Sequence, residues 1–223
     1  MTKTEYLAIE AYMNEKMQDS AHDKHHVYRV LGGALDIANH ETDVNMDVLI
    51  AACLIHDIGR DEQFKNPGTC HAKIGACMSY DYLVSCGWST KKAQHVSDCI
   101  STHRFRSNSP PLSLEAKILF DSDKLEAAGL IGIARTLIYG GQTKEPLYII
   151  DDNGKIVIDN GGADSVSFFQ EYNFKLKNVY NAFYTDRAKK IAKGRQQAAS
   201  NFYNCLHAEI TGIYDISVER YLE

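Results

Sequence analysis

Apolar residues recur at helical spacing through most of the chain, and one short stretch breaks that rhythm. Between residues 4 and 17 they fall at Tyr6, Leu7, Ile9, Tyr12, Met13 and Met17, which places them along a helix face. A second helix is predicted over about 21–39, capped by Asp19 or Ser20, with Val27, Val30, Leu31, Leu35 and Ile37 as its apolar side. Asp43 or Asn45 caps a third, which runs through 48–58 and stops at Gly59. Residues 60–68 read as a loop, with Pro67-Gly68 as its breaker. Thr69 caps a fourth helix ending near Gly87, and Ser89 or Thr90 caps a fifth ending near His103. After the break at 107–111, Ser113 caps a helix carrying Ile118, Leu119 and Leu125, and another runs through 130–139.

The exception follows Gly140-Gly141. Two apolar runs, 147–150 and 156–158, flank Asp152-Asn153-Gly154, and Asn-Gly between apolar runs is a strong hairpin signal. Gly161-Gly162 ends the excursion, and 164–214 returns to helical spacing, with Phe168-Phe169 and the aromatics of 172–183 as core. The expected fold is all-α: one domain over 1–223, with a small β-hairpin inserted at about 144–160 and C-terminal helices over 164–214. The hairpin carries more apolar residues than an isolated one needs. A cover over a site or a contact between two copies, a homodimer, would use them.

Composition narrows the function classes. A chain of 223 residues with 44% hydrophobic content can bury one sizeable core. The formal net charge of −5 gives no long-range attraction to a nucleic-acid polymer or an anionic membrane surface. An anionic substrate therefore needs a local positive site. Six cysteines form no CxxC pair, and several fall in helical patterns, so reduced, mostly core cysteines are expected. No secretory signal and no run of membrane-spanning length is present, and a reducing cytoplasm fits.

The chemistry concentrates at His56-Asp57, which closes the apolar run 48–55. An imidazole and a carboxylate at the edge of a buried segment are costly to desolvate without a partner. With His26 upstream and Asp123 downstream the order is His…His-Asp…Asp, two nitrogen and two anionic oxygen donors suited to a divalent cation. His22 lies one turn before His26. Adjacent helical residues point about 100° apart, so His56 and Asp57 share a target only near a helix end.

The chain resembles the HD-domain metal-dependent phosphohydrolases, the small single-domain bacterial type above all. The resemblance is carried by His22-Asp23-x-x-His26-x-x-Arg29-Val30, by 51–59 with His56-Asp57-Ile58-Gly59, by Ile100-x-x-His103, by 115–125 with Asp121-x-Asp123-Lys124-Leu125, and by 129–135 ending in Arg135. It implies a helical bundle in which His26, His56, Asp57 and Asp123 hold the metal. Asp121 is the rival of Asp123, and is otherwise expected to orient a ligand. His71 and His103 lie where dinuclear relatives place ligands of a second metal; contact with substrate phosphate and donation of a proton are their other readings. Metal identity (Mn, Mg, Co, Ni, Fe or Zn) and number, one or two, stay open. Where nucleotide-hydrolysing relatives often carry carboxylates three and four residues past the pair, this chain has Arg60 and Asp61. Arg60 can hold a phosphate but cannot act as a carboxylate acid, which leaves Asp61 or Glu62 for that role.

The implied reaction is hydrolysis of a phosphate ester or anhydride of a small phosphorylated metabolite, with nucleotides favoured, by a metal-activated water. Arg29, Lys124, Lys73 and Arg104, together with Arg60, are the candidate phosphate cations. Two other classes remain: a di-iron oxygenase, for which His26, His56, Asp57, His71, His103 and Asp123 supply six ligands, and a nucleotide-sensing module without turnover.

Overall fold

The computed structural model describes residues 1–17, 24–104, 109–159, 166–214 and 221. Asp19, Ser20, His22 and Gly161-Gly162 lie outside the described residues. The chain divides into two compact units: Met1–Glu126 with Phe183–Ala188, and Ala127–Ala182 with Lys189–Glu223.

The first unit is built around one helix. Its members are α1 (Lys3–Lys16), α2 (Lys24–Ala38), α3 (Met46–Ile55), α4 (Arg60–Lys65), α5 (His71–Ser85), α6 (Thr90–Ser101) and α7 (Leu114–Leu125). The apolar run lies in α3, where Val48, Leu49 and 51–55 are all buried. A helix apolar all round must be enclosed, and α3 packs against α1, α2, α6 and α7. Asn45, not Asp43, caps it by accepting from the Val48 amide. Ser89 and Ser113 cap α6 and α7 in the same way, as their spacing predicts. Cys70, not Thr69, stands at the start of α5, without a side-chain cap.

The predicted helix through 48–58 is shorter than expected, and the difference matters. Regular helix ends at Ile55, His56 is the C-cap, and 56–59 form a turn. The predicted loop that follows is partly helical. In α4 no residue is buried, so no apolar period marks it. Asp61 and Glu62 in its first turn and Lys65 in its last suit the helix dipole, and Asn66 ends it before Pro67.

Gly59 is required by close approach. A Cβ there would lie 2.3 Å from the His71 carbonyl oxygen and 2.6 Å from the Gly75 amide nitrogen. Only a bare backbone lets the turn after Asp57 touch the first turn of α5. Asp121, fully buried on α7, accepts from the Tyr184 amide at 2.9 Å and from the Thr185 amide and hydroxyl at 2.7 Å each. That carboxylate holds the returning segment Phe183–Ala188 against α7.

The second unit contains α8 (Gly129–Thr143), α9 (Phe168–Phe174), a 3-10 helix (Leu176–Asn181) and most of α10 (Asp186–Tyr214). Its core gathers Ile133, Phe168, Phe169, Tyr172, Leu176, Ala199 and Ile210. Phe174 departs from the predicted aromatic core, being 62% exposed.

The β-hairpin is corrected: no strand forms among the described residues, and Ile150 and Ile156 meet in an isolated antiparallel bridge. The turn signal itself is sound. Gly154 takes φ +74°, and the Asp151 carboxylate accepts from the Asn153 and Lys155 amides. Two short arms without a third strand are too weak to extend the ladder. Tyr148 and Ile156 pack instead on the helical core of this unit.

All six cysteines are free, but only Cys53 and Cys99 are buried; Cys77, Cys86 and Cys205 are exposed, which corrects the expectation of a mostly core set. No helix among the described residues is long and apolar enough to cross a membrane.

Candidate metal centre

Four histidines converge on Asp57 from four elements. His26 lies in the first turn of α2, His56 caps α3, His71 opens α5, and His103 follows α6. Each is at most 2% exposed, and Asp57 is fully buried. His56 closes α3 with helical dihedrals (φ −62°, ψ −31°), Asp57 opens the turn that follows, and both reach one centre at this helix end.

Every one of these rings has its Nδ1 engaged. His26 Nδ1 faces Glu126 Oε2 at 3.3 Å, His56 Nδ1 the Cys53 carbonyl at 2.8 Å, His71 Nδ1 the Gln63 Oε1 at 2.5 Å, and His103 Nδ1 the Ile100 carbonyl at 2.6 Å. In the neutral ring, an acceptor at Nδ1 sets that nitrogen as the donor and turns the lone pair of Nε2 inward, the tautomer a metal requires.

The inward atoms form two groups, His26, His56 and Asp123, then Asp57, His71 and His103. In the first, His26 Nε2 lies 3.4 Å from His56 Nε2 and 3.3 Å from Asp123 Oδ1, and His56 Nε2 lies 3.8 Å from Asp123 Oδ1. Ligands held about 2.1 Å from one ion sit roughly 3.0–3.4 Å apart. Asp57 joins the two groups. Its Oδ2 is 3.6 Å from His26 Nε2 and 3.5 Å from His56 Nε2, while its Oδ1 is 3.6 Å from His71 Nε2 and 3.4 Å from His103 Nε2.

Asp57 Oδ1, His71 Nε2 and His103 Nε2 are buried with no hydrogen-bond partner. Three orphaned polar atoms aimed at one another are a costly arrangement unless a cation joins them. The donor set, neutral imidazoles with carboxylates, fits a borderline or hard divalent metal.

Each group pairs one imidazole held down by burial with one held up against it by carboxylates: His56 with His26, and His71 with His103. Burial holds His56 down at about 4 and His71 at about 3, so both rings are neutral and ready to ligate. For His26, burial pushes the same way but is outweighed by Asp123, Asp57 and Glu126, which raise it to about 10. Burial alone would raise Asp57, yet His56, Arg60, His103 and His26 hold it well below the usual carboxylate range.

The structure thus brings together His26, His56, Asp57, Asp123, His71 and His103. It also sorts the other candidates. Arg60 donates from Nε to Asp57 Oδ2 at 2.6 Å. Arg29 reaches Glu126 at 2.7 Å. Arg104 approaches Cys70 Sγ at 3.9 Å, one residue from His71. Lys124 lies over the Phe120 ring at 5.2 Å, and burial lowers its amine. Lys73 is exposed on α5, and Arg135 is half-buried on α8. Asp61 is half-buried, while Glu62 accepts from Lys65 at 3.0 Å.

Two residues escaped the sequence reading. Glu126 orients His26, and its signal was the spacing from Asp123, three residues on, at the end of α7. Gln63 orients His71 but sits in the segment read as a loop. Replacing Glu126 with alanine is expected to weaken metal binding about 10–100-fold, the usual cost of losing such a ligand support. Titration of the metal-free variant against the parent chain reads this directly.

The helical bundle and its His/His-Asp/Asp centre define an HD-domain protein, and the HD domain family matches residues 24–128. The chain belongs to this family. It is 30% identical over 200 residues to YpgQ of Bacillus subtilis strain 168, an uncharacterized protein, spanning 88% of each chain. The structure of Bacillus subtilis YpgQ in complex with ADP superposes with a TM-score of 0.71 at 25% identity, covering 93% of this chain and 99% of that one. A structure described as a predicted HD superfamily hydrolase, from an uncultured Thermotogales bacterium, gives a TM-score of 0.61 at 28% identity, covering 93% and 92%.

Proposed function

We propose that the chain is a two-metal phosphohydrolase acting on a small phosphorylated metabolite, a nucleotide in the first instance. The observation that carries this reading is Asp57. One carboxylate presents one oxygen to each of two histidine groups, and the oxygen toward His71 and His103 has no other partner.

Bound divalent metals would supply a nucleophilic water at neutral pH and neutralise charge on the phosphoryl oxygens. His26, His56 and Asp123 would hold one, His71 and His103 the other, and Asp57 both. Glu126, Gln63 and the carbonyls of Cys53 and Ile100 keep the four rings oriented. Arg60 and Arg104 lie toward His71, and arginine forks suit phosphate. Asp61 is the carboxyl group available to protonate a leaving group, since Glu62 is committed to Lys65. YpgQ binding ADP supports a nucleotide as the class of substrate.

Six converging ligands would also serve a di-iron oxygenase. The flanking arginines and the ADP-bound relative favour the hydrolase. A panel of phosphorylated metabolites with several divalent metals, run aerobically and anaerobically, separates the two. Phosphate or pyrophosphate release without dioxygen is expected; turnover that requires dioxygen, or none on any nucleotide, would overturn the proposal.

A further inference from the structure

Arg60 is bonded directly to the metal-ligand cluster, and the form of that bond is informative. Its Nε reaches Asp57 Oδ2, the oxygen facing His26 and His56. Asp57 is fully enclosed, whereas the Arg60 side chain is 27% exposed. Guanidinium and carboxylate commonly pair through two parallel bonds. Here one bond is made, and the terminal amino groups of Arg60 meet no acceptor among the described residues.

The element that carries Arg60 is free to let it move. No residue of α4 is buried. The helix is fixed at its root by Gly59 against α5 and by Gln63 against His71. Neither anchor involves the arginine. A cation placed among His26, His56, Asp123 and Asp57 would share Oδ2 with a guanidinium, and two positive groups on one oxygen repel. An arginine released from Oδ2 would retain its full fork at the rim of the centre, beside His71 and near Arg104.

We propose that Arg60 determines phosphate recognition by exchanging partners: Asp57 in the metal-free chain, a phosphate oxygen of the substrate once the centre is loaded. This rests on the metal-centre reading above. Metal and phosphate binding are then coupled, and each tightens the other by the same factor.

The test uses the full metal-free chain, titrated with Mn²⁺ alone, then with inorganic phosphate, by calorimetry, in wild type, Arg60→Gln and Arg60→Lys. Arg60→Gln is expected to bind Mn²⁺ at least threefold tighter than wild type and, once loaded, to bind phosphate at least tenfold more weakly. Arg60→Lys keeps the charge without the fork and falls between. In wild type, phosphate tightens Mn²⁺ binding; in Arg60→Gln that coupling disappears. No residue of α4 is buried, so both variants should fold, with metal-free Arg60→Gln melting below wild type because the enclosed Asp57 carboxylate loses its charged partner, and Mn²⁺ recovering part of that loss. Unchanged or weaker Mn²⁺ binding in Arg60→Gln overturns the exchange and leaves the metal centre standing. A wild-type chain that takes up no Mn²⁺ overturns both.

Discussion

Replacing Asp57 with asparagine is expected to cut the metal content from two ions per chain to at most one and to reduce phosphate release about 10³-fold or more. Asparagine keeps the shape of the side chain, so the effect would not come from a cavity. It removes the charge and turns an amide donor toward one of the two histidine groups, where a cation needs an acceptor. Loss of metal contributions worth several kcal/mol at the transition state corresponds to that factor. The same change leaves Arg60 at most a neutral amide oxygen to donate to and removes the anion that, against burial, holds His103 above its ordinary value. Metal counted by atomic emission after gel filtration, with turnover on the preferred substrate, checks both halves. Two ions per chain and full turnover in Asp57→Asn would falsify the bridging role.

Metal should also raise the melting temperature, and the gain should shrink as the pH falls. A ligand that binds only the folded chain at 100 times its dissociation constant adds about 2.7 kcal/mol. At this chain length that corresponds to a rise of roughly 5–10 °C. His26 and His103, both held above their ordinary values against burial by neighbouring carboxylates, set the pH dependence, and His26 the larger share. Raised to about 10, His26 stabilises the metal-free chain fully below its ordinary value near 6.5, and that stabilisation is lost as the pH rises through about 10. Metal requires the neutral ring, so binding near pH 7 expels about one proton from this group. Affinity should fall about tenfold for each pH unit of acidification from this group alone. His56 and His71, held at about 4 and 3, add nothing until far lower pH. Melts at several pH values with Mn²⁺ or a chelator read the gain. Calorimetry in buffers of different ionisation enthalpy reads the proton. A metal-induced shift that grows on acidification would sink this account.

The centre was legible where residue type and order carry its chemistry. His26, His56, Asp57 and Asp123 stand out because buried imidazoles and carboxylates need a partner, and the family pattern adds His71 and His103. Less legible was what depends on chain direction after a helix ends. The 48–58 segment reads as one helix, yet α3 closes at its cap His56 and the chain turns over 56–59, so that His56 and Asp57 share a target at the helix end. Asp121, expected as the rival of Asp123 or as a group orienting a ligand, also accepts from Tyr184 and Thr185, partners more than sixty residues away that no local pattern marks. Gln63 escaped notice because α4 has no apolar period.

Local pattern by itself determined the helical class, most caps, the turn at Gly154 and the identity of the principal metal-ligand candidates. These rest on forces acting within a few residues: periodic apolar faces, side-chain caps and the glycine preference of a left-handed turn. Tertiary structure alone decided that two histidine groups share one carboxylate, that Glu126 and Gln63 set the tautomers, and that Arg60 sits on Asp57. Those relations join α2, α3, α4, α5 and α7 through packing at Gly59 and around α3. Distances between remote segments are fixed by how the core closes, which no local window of sequence records.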